Sequence, residues 1–230
     1  MRLDDLLPPP FPGFSDEGLA FLSALRDHNE RDWFKPRKAT YDDHLKATLD
    51  LLVESASRAL AADGSAFTSG RAMRIYRDVR FSKDKRPYQT HVGASFDRPG
   101  GGEDPVFVYV HVEPGASFVA SGVYRPPVAY LRPVRTRIAE RPEAFEAMLA
   151  EVRAAELEIG SLGHELTTMP RGFAAHRDGP AADYLRWETV VAQQSLTDAD
   201  VQSPGLVDQI VATARGARPL VTYLDAAHGA

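Results

Sequence analysis

No cysteine occurs anywhere in the 230 residues. That absence removes disulfides, thiolate nucleophiles and every thiolate-bound metal centre, and it suits a reducing compartment. No apolar run approaches the ~18–20 residues that span a bilayer, and the opening MRLDDLLPPP lacks the basic-then-apolar pattern of a signal peptide. The expectation is a cytoplasmic protein with no membrane association. A cationic excess is missing too. Lys and Arg number 27 against 32 Asp and Glu, giving a net charge of −5 with neutral histidines and a pI near 5.8. That balance argues against nucleic acid as a partner. GxxxxGK[ST], HExxH and GxSxG are all absent, so no P-loop, zincin helix or serine elbow is expected, and Ser82 and Ser121 receive no nucleophilic role.

What is present reads as one α+β domain over 1–230, behind a proline-rich extended lead-in at 1–13. Hydrophobic residues make up 43% and charged residues 26%, enough for a sizeable core. Ser15 is a good N-cap, with Leu19, Leu22 and Leu25 at helical spacing behind it and Asn29 as terminator. Pro36 suits the first turn of a longer helix whose apolar stripe is Tyr41, Leu45, Leu49, Leu52, Ala56 and Leu60, closed by Gly64. The first sixty residues therefore predict a helical hairpin. From Ala72 the period changes to two, which predicts a meander of strands near 72–81, 91–97, 106–112 and 116–123, with GGG at 100–102 in a hairpin loop. Helices return after Pro126 and Pro127. Pro133 should break or kink the first of them, and Pro142 should open the next. ETVVAQQSL reads as a further strand, and a last helix covers roughly 204–215. The fold class expected is α+β: N-terminal helical hairpin, central mainly antiparallel sheet, C-terminal helices.

Against this acidic background the segment RAMRIYRDVRFSKDKR reverses sign. Arg71, Arg74, Arg77, Arg80, Lys83, Lys85 and Arg86 face only Asp78 and Asp84, seven minus two or +5, so the remainder carries −10. Planar guanidinium forks suit bidentate binding of carboxylate, phosphate or sulfate. As a strand, the segment would present Arg74, Tyr76, Asp78 and Arg80 on one face, with Ile75, Arg77, Val79 and Phe81 on the other. Arg77 then falls on the apolar side and needs a partner. The expected anion site is Arg74, Arg77, Arg80, Lys83 and Lys85 with Tyr88, converging on one concave pocket, and Asp78 fixes a guanidinium or moves a proton. The plain alternative is a surface arginine–aspartate ladder.

His91 and His111, the latter two residues from Glu113, are candidates for proton transfer beside those arginines. With Glu113 they also make up a two-histidine, one-carboxylate ligand set. No further acidic cluster accompanies it, so the expectation is no metal and no cofactor. The leading functional expectation is an enzyme acting on a small anionic metabolite, with loss of sulfate or phosphate by elimination or intramolecular cyclisation. The rival is a non-catalytic module for an anionic ligand or nucleic acid, using Trp33, Phe34, Tyr88, Tyr124 and Trp187 for stacking. Homo- and hetero-oligomeric states both remain open.

The stretches NERDWFKPRKATYDDHL, RIYRDVRFSKDKRPYQTHVGASF, VYVHVEPGASFVASGVYRPP, MPRGF and DYLRWET occur in that order. Together they resemble the conserved-hypothetical family called domain of unknown function 2461, from about Phe14 to Leu196. The core matches at Arg74, Tyr76, Arg77, Asp78, Arg80, Phe81, Ser82, Lys83, Asp84, Lys85, Pro87 and Tyr88. It departs at Gln89, where lysine is usual, at Tyr124, where tryptophan is usual, and before MPRGF, where basic character is missing. The resemblance implies an α+β fold and carries no biochemical role.

Overall fold

The structure is a computed structural model and describes residues 9–100, 102 and 104–229. Most of the expected lead-in, and Gly101 of the triple glycine, lie outside the described residues. Ser15 caps helix α1 (Asp16–Asp27), its hydroxyl accepting from the Gly18 amide at 3.2 Å, and Asp16 and Glu17 occupy the positive first turn. Leu19, Leu22 and Leu25 are buried. The next helical run is pieced together from α2 (Arg31–Phe34), a 3-10 turn at Lys35–Arg37, α3 (Lys38–Tyr41), a π-helical turn at Asp42–Lys46 and α4 (Ala47–Ala62). Besides Phe34, its buried positions, Tyr41, Leu45, Leu49, Leu52, Ala56 and Leu60, are the stripe read from the sequence. The N-terminal helical hairpin is present.

Six strands form one sheet: β1 (Ser69–Ala72), β2 (Val92–Asp97), β3 (Val106–Val112), β4 (Ser117–Val123), β5 (Glu158–Gly160) and β6 (Val190–Leu196), in the order β1-β2-β3-β4-β6-β5. The α+β class with helices before and after the sheet is as expected. The first four strands follow the expected meander; β6 then lies beside β4, and β5, which has only three residues, was not foreseen. Strict alternation in β3 buries Val106, Val108, Val110 and Val112 and leaves Phe107, Tyr109 and His111 on the half-open face. β1 pairs antiparallel with β2, and β2 with β3, in a register that sets Gly93 opposite His111.

Two expectations are corrected. The strand predicted at 72–81 ends at Ala72, for a reason given below. Of the break or kink expected at Pro133, the break is absent: helix α5 (Val128–Glu140) continues through it, at the cost of the one hydrogen bond its nitrogen cannot donate. α6 (Pro142–Ala154) starts at Pro142 as expected, and α7 (Ala182–Leu185), α8 (Asp198–Val201), α9 (Leu206–Gly216) and α10 (Arg218–Ala227) complete the chain. No helix among the described residues is long and apolar enough to cross a membrane.

The chain divides into two compact units of interleaved segments. The first comprises Met1–Gly100, Val108–Val119 and Ser195–Val211, and the second Gly101–Phe107, Ala120–Gln194 and Ala212–Ala230. Phe34 centres an aromatic group in the first, touching Phe21, Tyr41, Tyr76 and Tyr88. In the second, Phe145 is wholly buried and contacts Tyr184, Trp187 and Tyr223.

Candidate functional site

In the first unit the half-open face of β3 carries a row of polar rings. The Tyr109 hydroxyl lies 3.1 Å from His111 Nδ1, and His111 Nε2 lies 3.2 Å from Glu113 Oε2. Glu113 Oε1 accepts from Thr90 Oγ1 at 2.9 Å. An ionised carboxylate only accepts, so the His111 proton sits on Nε2, and Nδ1 accepts from the tyrosine. His91, just before β2, places its ring centroid 4.0 Å from that of His111, and Phe118 stacks on His111 at 4.7 Å. Only 12% of the His111 side chain is exposed.

Burial sets the protonation states here. It pushes His91 down to about 4, with neighbouring His111 adding to the effect and Glu113 opposing it. Burial also lowers His111, against the pull of Glu113. For Glu113 burial acts upward, but hydrogen bonds from His111 and Thr90 outweigh it and leave the carboxyl below its ordinary value. Burial and the Glu113 charge push Tyr109 up to about 12. Near neutrality the cluster therefore holds two neutral imidazoles, one carboxylate and one phenol. One ligand atom from each of His91, His111 and Glu113 falls within 4.8 Å of the others, the donor set of a two-histidine, one-carboxylate centre.

The arginine segment begins beside this cluster. After β1, the Met73 amide donates to Gly93 O at 2.8 Å, the Gln89 amide to Ile75 O at 2.7 Å, and the Arg77 amide to Pro87 O at 2.9 Å. Between the first two bonds stand one residue, Arg74, and on the partner side three, Thr90, His91 and Val92. This bulge sets Arg74 at the level of His91. Arg74 is exposed and makes no hydrogen bond among the described residues.

Beyond Arg77 the ladder ends because two aspartates close their own turns. Asp78 Oδ1 accepts from the Arg80 amide at 3.2 Å, and Asp84 Oδ1 from the Arg86 amide at 3.0 Å. Such local side-chain bonds compete directly with a strand. The same carboxylates then take the guanidiniums. Arg80 pairs with Asp78 at 2.6 Å, while Arg86 and Arg77 both pair with Asp84 at 2.7 Å. Lys85 Nζ donates to Val79 O at 3.0 Å.

Several site expectations change accordingly. Arg77 is not stranded on an apolar face, since Asp84 and the Arg86 carbonyl satisfy it. Asp78 is engaged by Arg80, whose hydrogen bonds hold its carboxyl below the usual range, so it closes a turn rather than carrying a proton. Arg80 is 77% exposed, and Phe81, expected to be buried, is 96% exposed. In this stretch the arginine–aspartate ladder prevails over the convergent anion pocket.

A cavity of about 440 Å³ does open nearby, lined by Arg31, Lys35 and Arg77, by Asp32, and by the rings of Tyr76 and Tyr88. Tyr88 stacks on Phe34 at 4.1 Å. Of Arg74, Arg77, Arg80 and Lys83, only Arg77 lines this cavity. Tyr88 lines this cavity beside Arg77, without the other expected cations. Arg31 and Lys35 were missed, although NERDWFKPRK is itself rich in cations.

The family model described as conserved hypothetical protein (DUF2461) matches residues 17–223, and the chain belongs to that family. No curated protein and no solved structure matches the chain.

Proposed function

We propose that this member of the DUF2461 family is an enzyme acting on a small anionic metabolite. In this reading the histidine cluster handles a proton, while Arg74 and the cations around Tyr76 and Tyr88 hold a sulfate or phosphate group. The observation that supports it most is the row Tyr109–His111–Glu113 with His91 beside it, level in the register with an exposed arginine that has no bonded partner. His91 is neutral and makes no hydrogen bond among the described residues, so it is the base. It takes a proton from carbon or nitrogen of the substrate. The freed pair forms a double bond or closes a ring, and the C–O bond to the anion breaks, the leaving group departing with that bond's electrons. Guanidinium charge stabilises the departing anion, and Glu113 stabilises the imidazolium. The site of action proposed is the cytoplasm, on the strength of the missing cysteines.

The test follows release of inorganic sulfate and phosphate from a panel of esters by wild type, Arg74→Ala and His91→Gln. Each variant is expected to lose on the order of 100-fold in rate. Equal turnover by all three proteins would remove the mechanism, and binding without turnover would favour the non-catalytic module.

The compactness of the ligand triangle favours a second reading, a divalent metal on His91, His111 and Glu113. Burial keeps both imidazoles neutral, the form that ligates. Elemental analysis after dialysis against zinc or manganese separates the two readings. One equivalent that disappears in Glu113→Gln supports the metal, and none in wild type supports the proton-transfer pair.

A further inference from the structure

Three of the stretches that carry the family resemblance meet around one cavity of about 310 Å³ in the second unit. Arg125 comes from VYRPP, Arg171 from MPRGF and Glu188 from DYLRWET, while Arg135 rises from α5. Leu131 and Pro170 are among the apolar walls.

Arg135 is the unusual member. It is 5% exposed, and one of its donors, Nη2, reaches the Trp187 carbonyl at 2.9 Å. Its Nε is buried with no partner, and among the described residues it forms no ion pair. Glu188 attracts it across the cavity without closing a hydrogen bond. A guanidinium offers five N–H donors in a fixed fork, and a buried one with a single bond is costly. Neither Arg125 nor Arg171 has a carboxylate partner among the described residues. Arg125 is also held at φ +44°, which non-glycine residues seldom adopt, with its amide fixed on the buried Thr189 hydroxyl at 3.1 Å. Three arginines against one glutamate make the cavity cationic in a chain of net charge −5.

We infer that this cavity binds a small organic anion with an apolar body, its carboxylate or phosphate seated on Arg135 between Arg125 and Arg171. The donors left open on Arg135 match the acceptor pair of either group, the apolar walls take the rest of the molecule, and Glu188 opposes highly charged ligands. The volume lies at the small end of ligand pockets, which run from ~300 to 1,000 Å³, so the occupant is metabolite-sized. The site uses no residue of the histidine cluster and stands independently of the catalytic reading.

The chain has two tryptophans, Trp33 in the first unit and Trp187 in the second, so their indole N–H resonances report on the units separately. Nitrogen-15-labelled full-length protein is titrated with benzoate and with phenyl phosphate. The expected result is a saturable shift of the Trp187 resonance with at least one probe, and a stationary Trp33. Affinity should fall about 10-fold or more in Arg171→Gln, as expected for removing a charged hydrogen-bonding partner. Binding should vanish in Arg135→Met, whose thermal midpoint without ligand should not drop below wild type, because an unpaired buried charge has been removed. If Arg135→Met does not fold, the exposed Arg171 variant decides alone. A motionless Trp187 with both probes, shifts confined to Trp33, or wild-type titration of the variants would overturn the site.

Discussion

Asn29 holds both main-chain polar groups of Tyr88, 59 residues away. Its Nδ2 donates to the Tyr88 carbonyl at 3.0 Å, and its Oδ1 accepts from the Tyr88 amide at 3.0 Å. The side-chain amide thus acts as a one-residue strand partner. It fixes the ring that lines the cationic cavity to the turn ahead of α2, where Arg31 and Lys35 follow.

Asn29→Ala should therefore cost about 2–4 kcal/mol of stability, because it leaves two buried backbone groups unsatisfied. Asn29→Asp should also destabilise, since its carboxylate would face the Tyr88 carbonyl with no donor between them. Urea unfolding of the three proteins measures both, and a loss in Asn29→Ala within error of zero would contradict the clasp.

Stability should depend on pH through His91. Its folded value of about 4 lies below the ordinary 6.5, so on acidification the unfolded chain takes up the proton first. The folded state is then at full stability above about pH 6.5 and loses it as pH falls toward 4. His91→Gln should flatten that decline. Carboxyls held low, such as Asp84 between Arg86 and Arg77, add their own loss only at lower pH. Thermal midpoints from pH 7.5 to 4, taken with chelator present, provide the check; a flat wild-type profile between 6.5 and 4.5 would rule the argument out.

The aspartates of the basic loop should be restraining its cations. Asp84→Asn removes the carboxylate shared by Arg77 and Arg86, both partly exposed, so the thermal midpoint should hardly move. Freed guanidiniums should then increase the stabilisation given by sulfate. Equal sulfate-induced shifts in wild type and variant would show that the loop's cations do not serve the anion.

Gly122 sits at a backbone position that leaves no room for a side chain. Its φ is +137°, and a Cβ there would lie 2.2 Å from the Val190 carbonyl oxygen. Gly122→Ala should cost more than about 2 kcal/mol by combining strain with a main-chain clash. Gly64, at φ +72° with open space around it, should lose only about 1 kcal/mol on the same change. Similar losses at the two sites would show that φ alone matters.

Much of the fold was legible because its signals are local and periodic. The stripe from Tyr41 to Leu60 and the alternation of Val106, Val108, Val110 and Val112 each repeat at the period of their element. The same two-residue spacing also foretold His111 and Glu113 on one face. The basic segment misled for an equally local reason. Arg74 to Phe81 has the alternation of a strand, but Asp78 and Asp84 each stand two residues before an arginine, and their bonds to those amides end the ladder.

By itself the sequence determined the helical hairpin, the principal strands and the residue types at the site, because side-chain period and capping act between neighbours in the chain. Only the tertiary structure decided which charges are free. It drew Arg77 to Asp84, put His91 beside His111, and buried Arg135 with its Nε unpartnered. The His91–His111 and Arg135–Trp187 contacts join residues tens of positions apart, and no local pattern records them.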